Sequence, residues 1–252
     1  MQVARSLLFY VGMILSLMAF GAVLPIIAVL PYPRRYGVLT HWGRFVMWWL
    51  GATCGLNWEV EGRDHIPTGP AVILAKHQSA WETIALQAIF PRQTWVLKRE
   101  LLWIPVFGWA LALLHVVPIN RKAGRRALNQ LVTGGRACLE EGTWVVVFPE
   151  GTRVAPGTHG HYNIGGAMLA AKSGYPVVPV AHNAGEYWPR RGLRKRAGRI
   201  KVVVGGPINT VGRKAGEINA EVETWIEEQM ARITSKEYLE GRSTPFAEEH
   251  TG

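Results

Sequence analysis

Acidic side chains are scarce in this chain, cysteines scarcer still, and between residues 6 and 30 charge is missing altogether. Each shortage excludes something. With 18 Asp and Glu against 28 Lys and Arg, the formal net charge is +10 and the pI near 9.9, so an anionic partner is expected: nucleic acid, an anionic membrane surface or a phosphorylated substrate. Two cysteines, Cys54 in an apolar segment and Cys138 in an expected helix, give neither a disulfide framework nor metal-ligand spacing and fit a reducing compartment. The positive charge comes with no zinc spacing, RRM signature or basic-helix zipper, which argues against nucleic acid. No internal repeat is visible.

The charge-free run is long enough, at about 1.5 Å per residue in a helix, to cross a hydrocarbon core of roughly 30 Å. It exceeds the roughly 7 to 15 residues of a secretory apolar region, although Pro25 interrupts it, so a membrane anchor is expected rather than a cleaved signal peptide. Arg5 precedes the run, whereas Arg34, Arg35 and Arg44 follow it. If the segment spans, the positive-inside tendency puts the rest of the chain in the cytoplasm, at the inner membrane or its equivalent. Residues 38–56 form a second apolar stretch with Trp42, Trp48 and Trp49, an interfacial or a core helix. Paired as a hairpin, the two stretches could instead dip into one leaflet.

From Asn57 onward, short apolar runs alternate with helical segments, the signature of an α/β fold with a mixed sheet flanked by helices. Strands are expected at 57–61, 70–75, 93–97, 115–119, 143–148, 176–181 and 200–204, and helices at 80–90, 123–140, 164–173 and 215–238. The chain thus divides into a membrane-anchoring helical segment (1–56), an α/β domain (57–240) and a polar, aperiodic tail (241–252) expected to be flexible.

Two strand ends carry polar chemistry. Val72, Ile73 and Leu74 lead through Lys76 into His77-Gln78-Ser79-Ala80-Trp81-Glu82, where Ser79 and Glu82 have capping-box spacing and a helix is expected to start at Ser79. On one continuous helix, positions five apart point away from each other; with His77 in the turn, it and Glu82 can meet. His77 is then a candidate general base and Glu82 its orienting carboxylate, the bland alternatives being a strand-end hydrogen bond and the cap itself. Residues 143–148 end in Phe148-Pro149-Glu150-Gly151-Thr152-Arg153, and two such ends suggest one shared cleft. His159, His161 and His182 lack the carboxylate or Cys spacing of a metal site and are read as loop residues.

Four blocks in this order resemble the glycerolipid acyltransferase family, whose hallmark is a His followed four residues on by Asp. They are His77 to Glu82; Lys98-Arg99-Glu100-Leu101 through Pro105-Val106-Phe107-Gly108 to Ile119-Asn120-Arg121; Phe148 to Arg153; and Val178-Pro179-Val180. Glu82 stands where the family usually has Asp, and Asn120 where Asp commonly precedes the Arg. The resemblance implies transfer of a fatty acyl group from acyl-CoA or acyl carrier protein to the sn-2 hydroxyl of 1-acyl-sn-glycerol-3-phosphate (lysophosphatidic acid), giving phosphatidic acid, with no metal or further cofactor. It assigns His77 as base and Glu82 as partner. Lys98, Arg121 and Arg153 suit the acceptor phosphate, with Glu150 on its hydroxyls or on Arg153, and the backbone at Gly151 and Thr152 is a candidate for holding the oxyanion. The apolar stretch Leu101 to Leu114 is either an acyl channel or core with an interfacial helix. Basic clusters at Arg121 to Arg126 and Arg190 to Arg199 fit anionic membrane lipids or an acidic carrier protein. A lyso-aminolipid or another lysophospholipid as acceptor, and a non-catalytic anionic-lipid-binding protein, are the alternatives.

Overall fold

The computed structural model describes residues 1–241. In chain order the helices are α1 (Gln2–Ala28), α2 (Tyr32–Cys54), α3 (Trp81–Ile89), α4 (Phe107–Leu113), α5 (Arg125–Glu140), α6 (Gly165–Ser173), α7 (Ala184–Tyr187), α8 (Ala215–Ile233) and α9 (Lys236–Leu239). The strands are β1 (Leu56–Glu61), β2 (Val72–Ala75), β3 (Gln93–Lys98), β4 (Val117–Ile119), β5 (Trp144–Val147), β6 (Val177–His182) and β7 (Gly198–Val204). All seven expected strands appear, with ends displaced by at most two residues.

The strands form one mixed sheet in the order β1-β7-β6-β2-β5-β3-β4. β6, β2, β5, β3 and β4 are mutually parallel, while β7 runs antiparallel to β6 and carries β1 parallel to itself. Both faces are covered, so the central strands are apolar throughout and alternate residues enter different cores. Ile73, Trp144, Val146, Val178 and Val180 face the core shared with α1, α2 and α3. Val72, Leu74, Val145, Val147 and Val177 face the core shared with α5, α6 and α8.

Two expected helices change shape. The first begins at Trp81 with Ala80 at its N-cap position; one residue earlier, Ser79 Oγ accepts from Trp81 N at 3.1 Å and Ser79 N donates to Glu82 Oε1 at 2.8 Å. The last, expected over 215–238, breaks at Thr234 and Ser235, where Ser235 N donates to the Glu186 carboxylate at 3.0 Å and the chain turns to bury Tyr238. Helices α4 and α7 were not placed by periodicity. The former starts from Val106, a β-branched residue at φ 64°, in a tight turn closed by Phe107 N donating to Pro105 O at 2.7 Å. Such a turn is strained and persists only where packing fixes it. Here α1 supplies the packing: a side chain at Gly21 would put its Cβ within 2.6 Å of Val106 Cγ1. Of the expected tail, residues 242–252 lie outside the described residues.

Candidate active site

Because β2 and β5 pair parallel with Leu74 opposite Val147, the residues that follow both strands leave the sheet at the same edge. His77 therefore meets Phe148 face to face, ring centroids 4.2 Å apart at 16°. His77 Nδ1 lies 2.8 Å from Glu82 Oε1, and that oxygen also accepts from Gln78 N at 2.9 Å and Ser79 N at 2.8 Å. The helix cap and the ring partner are thus one carboxylate. Burial alone would raise the Glu82 pKa; the hydrogen bonds it accepts from the His77 ring and the Ser79 N–H act against burial, and the carboxyl is held below its ordinary range. An ionised carboxylate only accepts, so Nδ1 carries a proton, and in the neutral ring Nε2 is the nitrogen left to accept one.

A cavity of about 250 Å³ opens on this ring between α1, α2, α3 and α4. Leu17, Phe20, Trp42, Leu101, Phe107 and Leu111 are among the apolar residues that line it, and His77, Lys98, Arg121 and Arg153 are its ionisable groups. Lys98 is half-exposed, with Glu100 3.9 Å away. Arg121 Nη1 donates to Gly151 O, which ties the β4 end to the β5 end. Burial lowers the Arg121 pKa, partly offset by Glu100, and a guanidinium stays charged nonetheless.

The geometry bears on three sequence expectations. Glu150 does not line the cavity: Oε2 accepts from His77 N at 2.7 Å and Oε1 pairs with Lys76 Nζ at 2.7 Å, so its carboxylate holds backbone rather than ligand. The Gly151 N–H, a candidate oxyanion donor, is occupied by Phe148 O at 3.0 Å, in a turn that needs glycine at φ 67°. Thr152 is exposed and outside the cavity lining. A fourth concerns His182, which is no loop residue. It ends β6, fully buried, and Nε2 donates to Lys76 O at 2.8 Å while Nδ1 accepts from Ala184 N at 3.3 Å. Burial lowers its pKa, and those two bonds require the neutral ring.

Lys76, which spacing did not single out, is buried on the other side of the sheet. Its Nζ sits 2.7 Å from both Glu150 Oε1 and Glu227 Oε1 of α8, and Tyr162 Oη donates to that same Glu227 oxygen at 2.8 Å. Its partners are far away in sequence, so no local pattern could disclose them. The β2 end is therefore clamped from both faces, Lys76 toward α8 and His77 toward α3.

A strand-end His with a carboxylate on Nδ1, opening on an apolar cavity rimmed by cations, is the arrangement that suits proton transfer on an apolar, anionic substrate, carried on an α/β frame. The sequence pattern of the Acyltransferase family matches residues 57–183, and the chain belongs to that family. It is 44% identical over 238 residues to the 1-acyl-sn-glycerol-3-phosphate acyltransferase of Pseudomonas aeruginosa, covering 92% of this chain and 93% of that protein. It is 31% identical over 169 residues to the bovine 1-acyl-sn-glycerol-3-phosphate acyltransferase alpha, covering 66% of this chain and 59% of that one. The fold matches the crystal structure of the 1-acyl-sn-glycerophosphate (LPA) acyltransferase PlsC from Thermotoga maritima, with a TM-score of 0.78 at 22% identity over 92% of this chain and 95% of that chain.

Proposed function

We propose that this chain transfers a fatty acyl group from an acyl thioester to the sn-2 hydroxyl of 1-acyl-sn-glycerol-3-phosphate, giving phosphatidic acid. The observation that carries this reading is the 2.8 Å pair of His77 Nδ1 with Glu82 Oε1 at an apolar cavity that also holds Lys98, Arg121 and Arg153. His77 Nε2 takes the hydroxyl proton as that oxygen attacks the thioester carbonyl carbon, and Glu82 stabilises the imidazolium that forms. The tetrahedral adduct collapses with loss of the thiolate, which takes the proton back from His77. No acyl-enzyme forms. Arg121 and Arg153 bind the acceptor phosphate with Lys98 at the rim, and the apolar walls hold acyl chain. The thioester is acyl-CoA or acyl carrier protein.

The chain's membrane attachment is through α1 and α2. α1 alone among the described residues is long and apolar enough to cross a bilayer, at 27 residues. Its contacts support a different placement. Ser6 Oγ accepts from Lys195 N at 2.8 Å, Phe9 stacks edge-on with Trp188 and Gly21 packs against Val106, so the α/β domain accompanies α1 from Ser6 to Gly21, over about 22 Å of its length. A spanning α1 would draw that domain into the bilayer, so the hairpin lies in one leaflet. The positive-inside argument then lapses, and two free cysteines favour the cytoplasmic side of the inner membrane.

The test is acyl transfer by the purified protein to lysophosphatidic acid, beside lysophosphatidylcholine, a lyso-aminolipid and the His77→Ala variant. Phosphatidic acid formed by wild type alone is the expected result. Transfer only to another acceptor would overturn the substrate and keep the mechanism; no transfer at all would leave an anionic-lipid-binding protein.

A further inference from the structure

A second cavity, of about 230 Å³, lies behind the reacting edge, lined by Gln78, Arg153, Arg190, Arg191 and residues 154–156. His77 lines the first cavity, Gln78 the second, and Arg153 both. The two differ in chemistry. The first is largely apolar, whereas three guanidinium groups and an amide line the second with no carboxylate among them.

Gln78 is 1% exposed. Its Oε1 accepts from Gly185 N at 3.2 Å, which fixes the amide's orientation and leaves Nε2 buried without a partner among the described residues. Arg153 Nε is likewise buried and unpartnered. Arg190 Nη1 donates to Arg153 O at 3.0 Å, holding Arg190 against the Arg153 backbone. Three arginines with no carboxylate among them, around one hollow, are the complement of an anion with several acceptor oxygens.

Both substrates of the proposed reaction carry phosphate, and geometry separates them. The acceptor's phosphate is only a few bonds from the attacking hydroxyl, so it must sit in the cavity that His77 lines. A donor phosphate lies at the far end of a long pantetheine arm and must bind elsewhere. We infer that the second cavity binds the phosphate ester that ends the phosphopantetheine arm of the acyl donor, with Arg190 and Arg191 as its donors and Arg153 joining the two sites. This rests on the acyl-transfer reading. It also accounts for a single site that accepts either donor type, since coenzyme A and acyl carrier protein present the same arm.

Arg190 and Arg191 are exposed, so the double variant R190A/R191A tests the site without opening the core. Calorimetric titration with pantetheine 4′-phosphate and with pantetheine reads the cavity independently of turnover. Wild type is expected to prefer the phosphorylated probe about tenfold and the variant to lose that preference, a difference of about 1.4 kcal/mol. In the transfer assay the variant should raise the KM of acyl-CoA and acyl carrier protein alike, with R190K/R191K recovering much of the loss and S-acyl pantetheine used equally by both proteins. Equal binding of the two probes by wild type would overturn the inference. So would a rise confined to the lysophosphatidic acid KM, or a loss confined to the carrier protein or to acyl-CoA, which would assign the arginines to the acceptor, an acidic protein surface or the nucleotide. If wild type transfers nothing from any donor, the acyl-transfer reading fails, and the calorimetric result still decides what the cavity binds.

Discussion

The two faces of the sheet are covered by helices of opposite character. On one side, α5 buries Ala127, Leu131, Gly135 and Leu139, and α8 buries Ile218, Val222, Ile226 and Met230, each a single stripe with charges such as Arg136 and Glu221 outside. On the other side, α1 buries Phe9, Leu24 and Ile27 yet also exposes Leu7, Val11, Ile14, Leu15 and Met18; Trp48 of α2 and Trp109 of α4 are exposed with them. Water is a suitable solvent for the first face only. An apolar surface this continuous is consistent with membrane association, and tryptophan is a residue type that favours the headgroup level. The reacting edge lies between the faces, and consecutive residues belong to different ones: Lys76 pairs with α8, and His77 opens toward the lipid-side cavity.

Substitutions along this divide should separate chemistry, stability and membrane binding. The largest effect belongs to His77→Ala, expected to lower kcat by about a thousandfold with the fold retained, as removal of a positioned general base does; single-turnover transfer assays with a parallel thermal melt measure both. Lys76→Met, one residue away, should act on stability instead. It leaves Glu150 and Glu227 facing each other without their buried cation, at a cost of about 3 kcal/mol in urea denaturation. A charge on the lipid face comes next: Leu15→Glu should reduce partitioning to anionic vesicles about a hundredfold, given roughly 2.5–3.5 kcal/mol for a charge in hydrocarbon, while Arg136→Glu on the water face changes it little. Glu82→Asp restores the carboxylate usual in the family and should keep kcat above about a hundredth of wild type, within roughly 2.7 kcal/mol of the original barrier.

A final prediction concerns the lysine that fastens α1. Lys195 is fully buried, its Nζ bonded to Tyr10 Oη and lying 4.7 Å from the Trp188 ring centroid, and its backbone N–H donates to Ser6 Oγ at 2.8 Å. Burial pushes its pKa down from 10.5 to about 8. The folded chain therefore releases this proton before the unfolded chain does, so stability should rise with pH between about 8 and 10.5, and the gain should be lost as pH falls through 8. Thermal melts across that range should show this slope in wild type and lack it in Lys195→Met.

What could be read from the sequence follows the same divide. Strands covered on both faces stand out as β-branched runs, so Val72 to Leu74 and Val145 to Val147 were legible, and the stripes of α5 and α8 report a contrast between core and water. That contrast vanishes where the solvent is lipid. α1 and α2 were therefore legible as apolar stretches, and α4 had no readable face. The His77 and Glu82 pair was within reach because the cap that starts α3 is local. Lys76, Gln78 and His182 were not, since Lys76 meets Glu227 across 151 positions, Gln78 meets Gly185 across 107 and His182 meets the Lys76 carbonyl across 106. Glu150 misled for the reverse reason: a motif names the residue without saying that its carboxylate is turned to the backbone of His77.

The most direct test of the two-faced account is the bilayer depth of spin labels placed singly at Val3, Leu15 and Ile26 of α1 and at Arg136 of α5, in vesicle-bound protein. The account predicts Arg136 in water, Leu15 in hydrocarbon, and Val3 and Ile26 at similar depths below the same headgroup layer. Val3 and Ile26 reporting from opposite sides of the bilayer, or Leu15 reporting from water, would contradict it.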